Sequence, residues 1–95
     1  MKDHMNNMNG FVYILESQKN KTYYIGSTNN LERRLDEHNS GKVKYTKNLR
    51  PLELKFFKKY DSLTEARKVE YKLKKLKRRD IIEKIIKEQK IIMGV

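Results

Sequence analysis

Glu70 is the residue of this 95-residue sequence that most needs a reason. It stands four residues after Ala66, three before Leu73 and beside Val69, so a helix there lays its carboxylate on an apolar stripe. A carboxylate in that position is costly unless a cation or hydrogen bonds compensate it. It either reaches past the core edge to a Lys or Arg, or serves as a metal ligand at the rim of a groove. Arg34 poses a similar choice beside Leu31 and Leu35: a surface ion pair with Glu32 or Glu37, worth little, or a guanidinium held to grip a phosphate through two hydrogen bonds. Tyr13, Tyr23 and Tyr24 fall on neighbouring segments, where tyrosines usually pack. A phenol with its ordinary pKa of about 10 acts as a base near neutrality only with help from a nearby cation. His38, four residues past Arg34, reads as a solvated helix-end histidine, or else as an auxiliary group of the same site. With no cysteine and only two histidines, a catalytic metal would have to sit on oxygen ligands, which favours Mg2+ or Mn2+. No Walker loop, dinucleotide fingerprint or serine elbow is present.

The charge indicates what such a site would act on. The formal balance is +11, and residues 1–40 contribute none of it, with five basic and five acidic side chains. Residues 41–95 hold eighteen basic against seven acidic groups, an asymmetry suited to a polyanion, most often nucleic acid. Lys42, Lys44, Lys47 and Arg50 lie in one basic stretch, and Lys72, Lys74, Lys75 and Arg78 in another. Such cations suit phosphate contact and carry no base specificity. The longest apolar runs fall far short of the ~20 residues of a membrane span, and the polar first nine residues do not resemble a signal peptide. No membrane contact and a cytoplasmic location are therefore expected.

The elements that must position these groups can be read in outline. Residues 1–9 show no periodicity and read as a flexible leader to one domain over 10–95. Phe11–Ser17 and Thr22–Gly26 are β-branched and aromatic, and their close spacing makes an antiparallel hairpin. Alternation puts Phe11, Tyr13 and Leu15 on one face, and separates Tyr24 from Tyr23 and Ile25. Asn29 or Asn30 can cap a helix over 31–39, with Gly41 placed to stop it. After a basic loop, Leu52–Tyr60 reads as a third strand with Leu52, Leu54 and Phe56 on one face. Ser62 and Glu65 have capping-box spacing ahead of a helix carrying Leu63, Ala66, Val69, Leu73 and Leu76. A last helix from about Asp80 carries Ile81, Ile82, Ile85 and Ile86 and covers the core. The order is β-β-α-β-α-α in a single mixed domain.

Together these residues resemble the GIY-YIG nuclease superfamily. The resemblance runs through Val12-Tyr13-Ile14, Tyr24-Ile25-Gly26, Asn30 to Leu35 and the Glu65–Glu70 pair, over about residues 10–80. It is greatest to the small stand-alone bacterial branch, in segments here reading Glu37–Lys42, Lys44–Thr46 and Pro51–Leu54. It is more distant to the N-terminal nuclease domain of the bacterial excision-repair endonuclease. The resemblance implies an α+β fold, a three-stranded antiparallel sheet flanked by helices, and hydrolysis of DNA phosphodiesters with one divalent metal. It further implies Tyr13 as general base or water-orienting group, Tyr24 as its assistant, and Gly26 as a close-packing residue. Arg34 would stabilise charge on the phosphate, and Glu70 would be the sole protein ligand to the metal. Phe11 stands where the family name calls for glycine, and Ser27 where some members place a lysine. A module of the same fold that binds nucleic acid without turnover, or a basic protein that binds structured RNA, would share the charge but not depend on Tyr13 or Glu70.

Overall fold

Gly10–Ser17 forms strand β1, and all but two of its eight residues are buried, as befits the centre of a sheet. β2 (Tyr23–Thr28) pairs antiparallel on one side and β3 (Leu52–Tyr60) on the other, giving the order β2-β1-β3. Helix α1 (Leu31–Asn39) follows β2, and α2 (Leu63–Leu76) and α3 (Arg79–Glu88) follow β3. The structure, a computed structural model, describes residues 9–91. The leader expected over 1–9 lies, but for Asn9, outside them. This is the expected α+β domain in β-β-α-β-α-α order, with β2 running two residues further than the sequence suggests.

The sheet separates two apolar clusters. Val12, Ile14, Phe56, Ala66, Leu73, Ile82 and Ile85 pack on the face covered by α2 and α3. Tyr13, Leu15 and Leu52, with Tyr24, Leu31, Leu35 and Leu54, pack on the face covered by α1. Tyr23 and Ile25 belong to the first cluster and Tyr24 to the second, as alternation requires. β3 departs from its expected pattern, since Leu52 and Leu54 join one cluster and Phe56 the other. Leu15 pairs with Leu54 but Ile14 pairs with Phe56, so Lys55 is an extra residue in a bulge. One inserted residue moves everything beyond it to the opposite face.

The helix ends follow the sequence. Asn30, not Asn29, caps α1 by accepting from Arg33 N, and Gly41, at φ +83°, lies just past its end. Ser62 caps α2 by accepting from Glu65 N. Gly10 packs under that helix start, where a Cβ would lie 2.6 Å from Leu63 Cα and 2.7 Å from Ser62 O. The basic loop between α1 and β3 is tied at both ends. Leu52 N donates to Asn39 Oδ1 (2.9 Å) and Asn39 Nδ2 to Leu52 O (3.1 Å), while Ser17 Oγ donates to Leu49 O (2.7 Å). Val43 and Thr46 are thereby buried beneath it.

Candidate active site

Alternation along β1 turns Tyr13 toward α1, and the third turn of α1 brings His38 to meet it. The Tyr13 Oη to His38 Nε2 distance is 2.9 Å, and His38 Nδ1 lies 2.7 Å from Thr46 Oγ1. His38 and Thr46 are fully buried and Tyr13 is 1% exposed. Gly26 stands opposite Tyr13 in the β1–β2 register, and a Cβ there would lie 2.5 Å from Tyr13 Cζ and closer still to Oη. The second tyrosine-glycine segment thus gives up a side chain so that the first can seat its ring.

Burial dominates the electrostatics. It pushes the Tyr13 phenol up to about 12, reinforced by Tyr24 and Glu70 and opposed by the Arg34 guanidinium beside its oxygen. His38 is pushed down to about 4, again first by burial and then by Arg34. Arg34 in turn is held above its ordinary value, first by the Tyr13 phenol and then by Glu37. The cation expected to make a phenol basic is therefore present, but burial outweighs it. Because Arg34 can only donate, the phenol hydrogen points away from it, toward His38 Nε2. The neutral imidazole then carries its proton on Nδ1 and donates it to Thr46; this tautomer is assigned from the surrounding donors.

Glu70 comes from the opposite face of the sheet. Ala66 and Leu73 anchor its helix in the core and leave the carboxylate at the β2 edge, its side chain 20% exposed. Ser27 Oγ donates to Oε1, and Lys74 Nζ reaches Oε2 at 2.8 Å. The same ammonium lies 5.5 Å from the centre of the Tyr24 ring, which stands edge-on to His38 at 5.1 Å. The compensating cation and the rim position anticipated as alternatives for Glu70 thus occur together. Among the described residues no group of three or more His, Asp or Glu side chains gathers, so they build no cage of their own around a metal. A single carboxylate at a rim suits Mg2+, which keeps several waters and shares its shell with substrate phosphates.

Tyr13, Tyr24, Gly26, Arg34, His38 and Glu70 are thus brought into one neighbourhood, and Tyr13 feels both Arg34 and Glu70. Tyr23 is not part of it. Its ring lies on the other face under Arg79, 4.6 Å from ring centre to guanidinium carbon. His38, read as a solvated helix-end residue, is instead the fully buried residue of α1, because the loop closes over it. The loop cations and helix cations do not share one surface. Lys47 and Arg50 line a groove near Lys19, with Lys42 and Lys44 exposed on the same loop. Lys72 and Lys75 lie along the outer side of α2 beside the exposed Tyr71, Lys74 faces Glu70, and Arg78 pairs with Asp80 at 2.7 Å. Ser27, Lys74 as the partner of Glu70, and Thr46 are the members that sequence reasoning missed. Lys74 had a local signal, since it stands four residues after Glu70 on one helix. Ser27 and Thr46 had none, because their contacts span 43 and 8 positions.

Comparison with known proteins agrees with this arrangement. Residues 9–87 match the family described as the GIY-YIG catalytic domain. The chain is 47% identical over 77 residues to a UPF0213 protein of Syntrophus aciditrophicus, covering 79% of this chain and 87% of that one. It is 42% identical over 76 residues to the UPF0213 protein YazA of Bacillus subtilis, covering 79% and 76%. The solution NMR structure of the UPF0213 protein BH0048 from Bacillus halodurans superimposes with a TM-score of 0.55 at 36% identity, covering 86% of this chain and 87% of that one.

Proposed function

The chain belongs to the GIY-YIG family, and from that membership we propose that it is a metal-dependent endonuclease acting on DNA phosphodiesters. The observation that carries the reading is the convergence on Tyr13. One phenol feels an arginine from α1 and a carboxylate from α2, and it is bonded to a neutral histidine. Phosphodiester hydrolysis requires a positioned water, an acceptor for its proton and stabilisation of the charge on the phosphate. Arg34 supplies fixed positive charge for the phosphate oxygens. The half-buried Tyr24 is the phenol that borders solvent and orients the water. Tyr13 acts as a relay, its oxygen taking a proton from the water as its own passes to His38 Nε2, so that no free phenolate forms. Thr46 keeps Nε2 available for that transfer. Water oxygen bonds to phosphorus, the bond to the ester oxygen breaks, and the imidazolium holds the proton until that oxygen takes it up.

Mg2+ or Mn2+ held by Glu70 would polarise the phosphate and stabilise the leaving oxygen. Lys74 and Ser27 fix where that carboxylate points. Supercoiled plasmid incubated with Mg2+ or Mn2+ tests the reading. Nicking is expected, with loss of about 10²-fold or more in rate for Glu70→Gln and Arg34→Ala at unchanged circular dichroism. Nicking that persists in Glu70→Gln at undiminished rate would sink it.

A further inference from the structure

β2 ends at Ser27 and Thr28, and α1 begins at Leu31, so Arg33 and Arg34 rise beside the strand end and face Arg67 of α2. These three arginines, with Ser27, Thr28 and Asn29, line a groove of about 230 Å3. Glu37 is the carboxylate that Arg33 and Arg34 share, at 2.9 Å from Arg34 Nη1 and 3.7 Å from Arg33 Nε. Arg67 makes no ion pair among the described residues, although Glu70 is one turn away, because Glu70 is bound by Lys74 and Ser27. The groove therefore carries an excess of two positive charges from two elements that folding brings together. Like charges gathered this way repel and give the fold nothing. Arg33 is moreover held in place, its Nη2 donating to Asn29 Oδ1 at 3.2 Å. Ser27 lines this groove and also bonds Glu70, so an anion here would lie one side chain from the proposed metal ligand.

We propose that this groove is a second phosphate site, gripped by Arg33 and Arg67, for the nucleic-acid phosphodiester adjacent to the one presented for cleavage. Its adjacency rests on the nuclease reading; the site itself does not. Neither arginine is needed to compensate a buried charge, and both are exposed, so either can be removed without disturbing the core.

The test is binding of a fluorescein-labelled duplex by anisotropy, without divalent metal, across a range of salt. It compares the unaltered chain with Arg33→Ala, Arg67→Ala, the double variant, and Lys84→Ala on the exposed side of α3. If both arginines hold one phosphate, the double variant loses about 0.9 from the slope of log affinity against log salt, and about tenfold in affinity. Lys84→Ala leaves both unchanged. A slope loss of about 1.8 would mean two independent surface contacts, and no loss would mean no contact; either result overturns the proposal. Equal losses in Lys84→Ala overturn it as well. Because turnover is not read, a one-phosphate slope in a chain that never cleaves keeps the site and removes the nuclease reading. Cleavage with an unchanged slope does the reverse. Where cleavage occurs, the double variant raises KM and leaves kcat, the reverse of Arg34→Ala.

Discussion

Tyr13 and His38 each hold the other neutral, and that pairing makes stability depend on pH in a defined direction. His38 ionises near pH 4 when folded and near its ordinary 6.5 when unfolded, so between those values the unfolded chain binds the extra proton. Its contribution is fully present above pH 6.5 and is lost as the pH falls through 4. The urea midpoint should therefore drop between pH 6.5 and 4, by on the order of 2–3 kcal/mol in unfolding free energy, and His38→Gln should flatten that drop. Imidazole ¹⁵N shifts provide a separate check, placing the proton of His38 on Nδ1 in the native chain. Thr46→Val should move it to Nε2, and Thr46→Ser should restore it. Gly26 is the other residue on which the pair depends. Gly26→Ala drives a methyl into the seated Tyr13 ring and should cost about 1–3 kcal/mol by thermal or urea unfolding, with nicking lost alongside. An alanine there that leaves both stability and the Tyr13–His38 bond unchanged would contradict the close packing.

Among the elements, β3 shows where a sequence stops being legible. Its length and apolar content are plain, and its register is not. Lys55 is an extra residue opposite the Ile14–Leu15 step, and the bulge sends Leu52 and Leu54 to the α1 face while Phe56 goes to the other. Deleting Lys55 should restore simple alternation and so misplace either the Leu52 side or the Phe56 side. The expected outcome is a chain that no longer unfolds cooperatively, whereas Lys55→Ala, which keeps the count, should behave nearly as the native chain. The hairpin, the caps at Asn30 and Ser62, and the ordering of Tyr13, Tyr24, Arg34 and Glu70 are readable because each depends on neighbours a few residues away. His38 is misread from sequence because its burial is decided by the loop, which two hydrogen bonds to Asn39 and one from Ser17 fold back over α1. No local pattern in a basic loop encodes such closure. Ser27 and Glu70 likewise meet only because α2 crosses the β2 edge.

At the scale of the whole molecule, the net charge of +11 is distributed over several separate grooves around a thin body measuring 44 × 36 × 20 Å. Self-repulsion at that charge opposes the compact state, and salt screens it with a Debye length of about 10 Å at 0.1 M. The same screening, with counterion competition, weakens a nucleic-acid complex. Two opposite responses should therefore occur in one protein. Thermal midpoints of the free chain should rise by several degrees between 20 and 500 mM NaCl, while duplex affinity falls steeply over the same range. The exposed pairs Arg78–Asp80 and Arg79–Glu83 would push the free chain the other way, since salt weakens them too. They are surface pairs within a turn of one another, and an excess of eleven positive charges should outweigh them. A midpoint that falls with salt would show that these pairs, rather than net repulsion, set the electrostatic balance. At low salt, excess duplex should raise the midpoint further, because a ligand bound only by the folded chain stabilises it by RT ln(1 + [L]/Kd). That increment should shrink as salt is added, in step with the measured affinity. If it does not, the cationic grooves are not where the duplex is held.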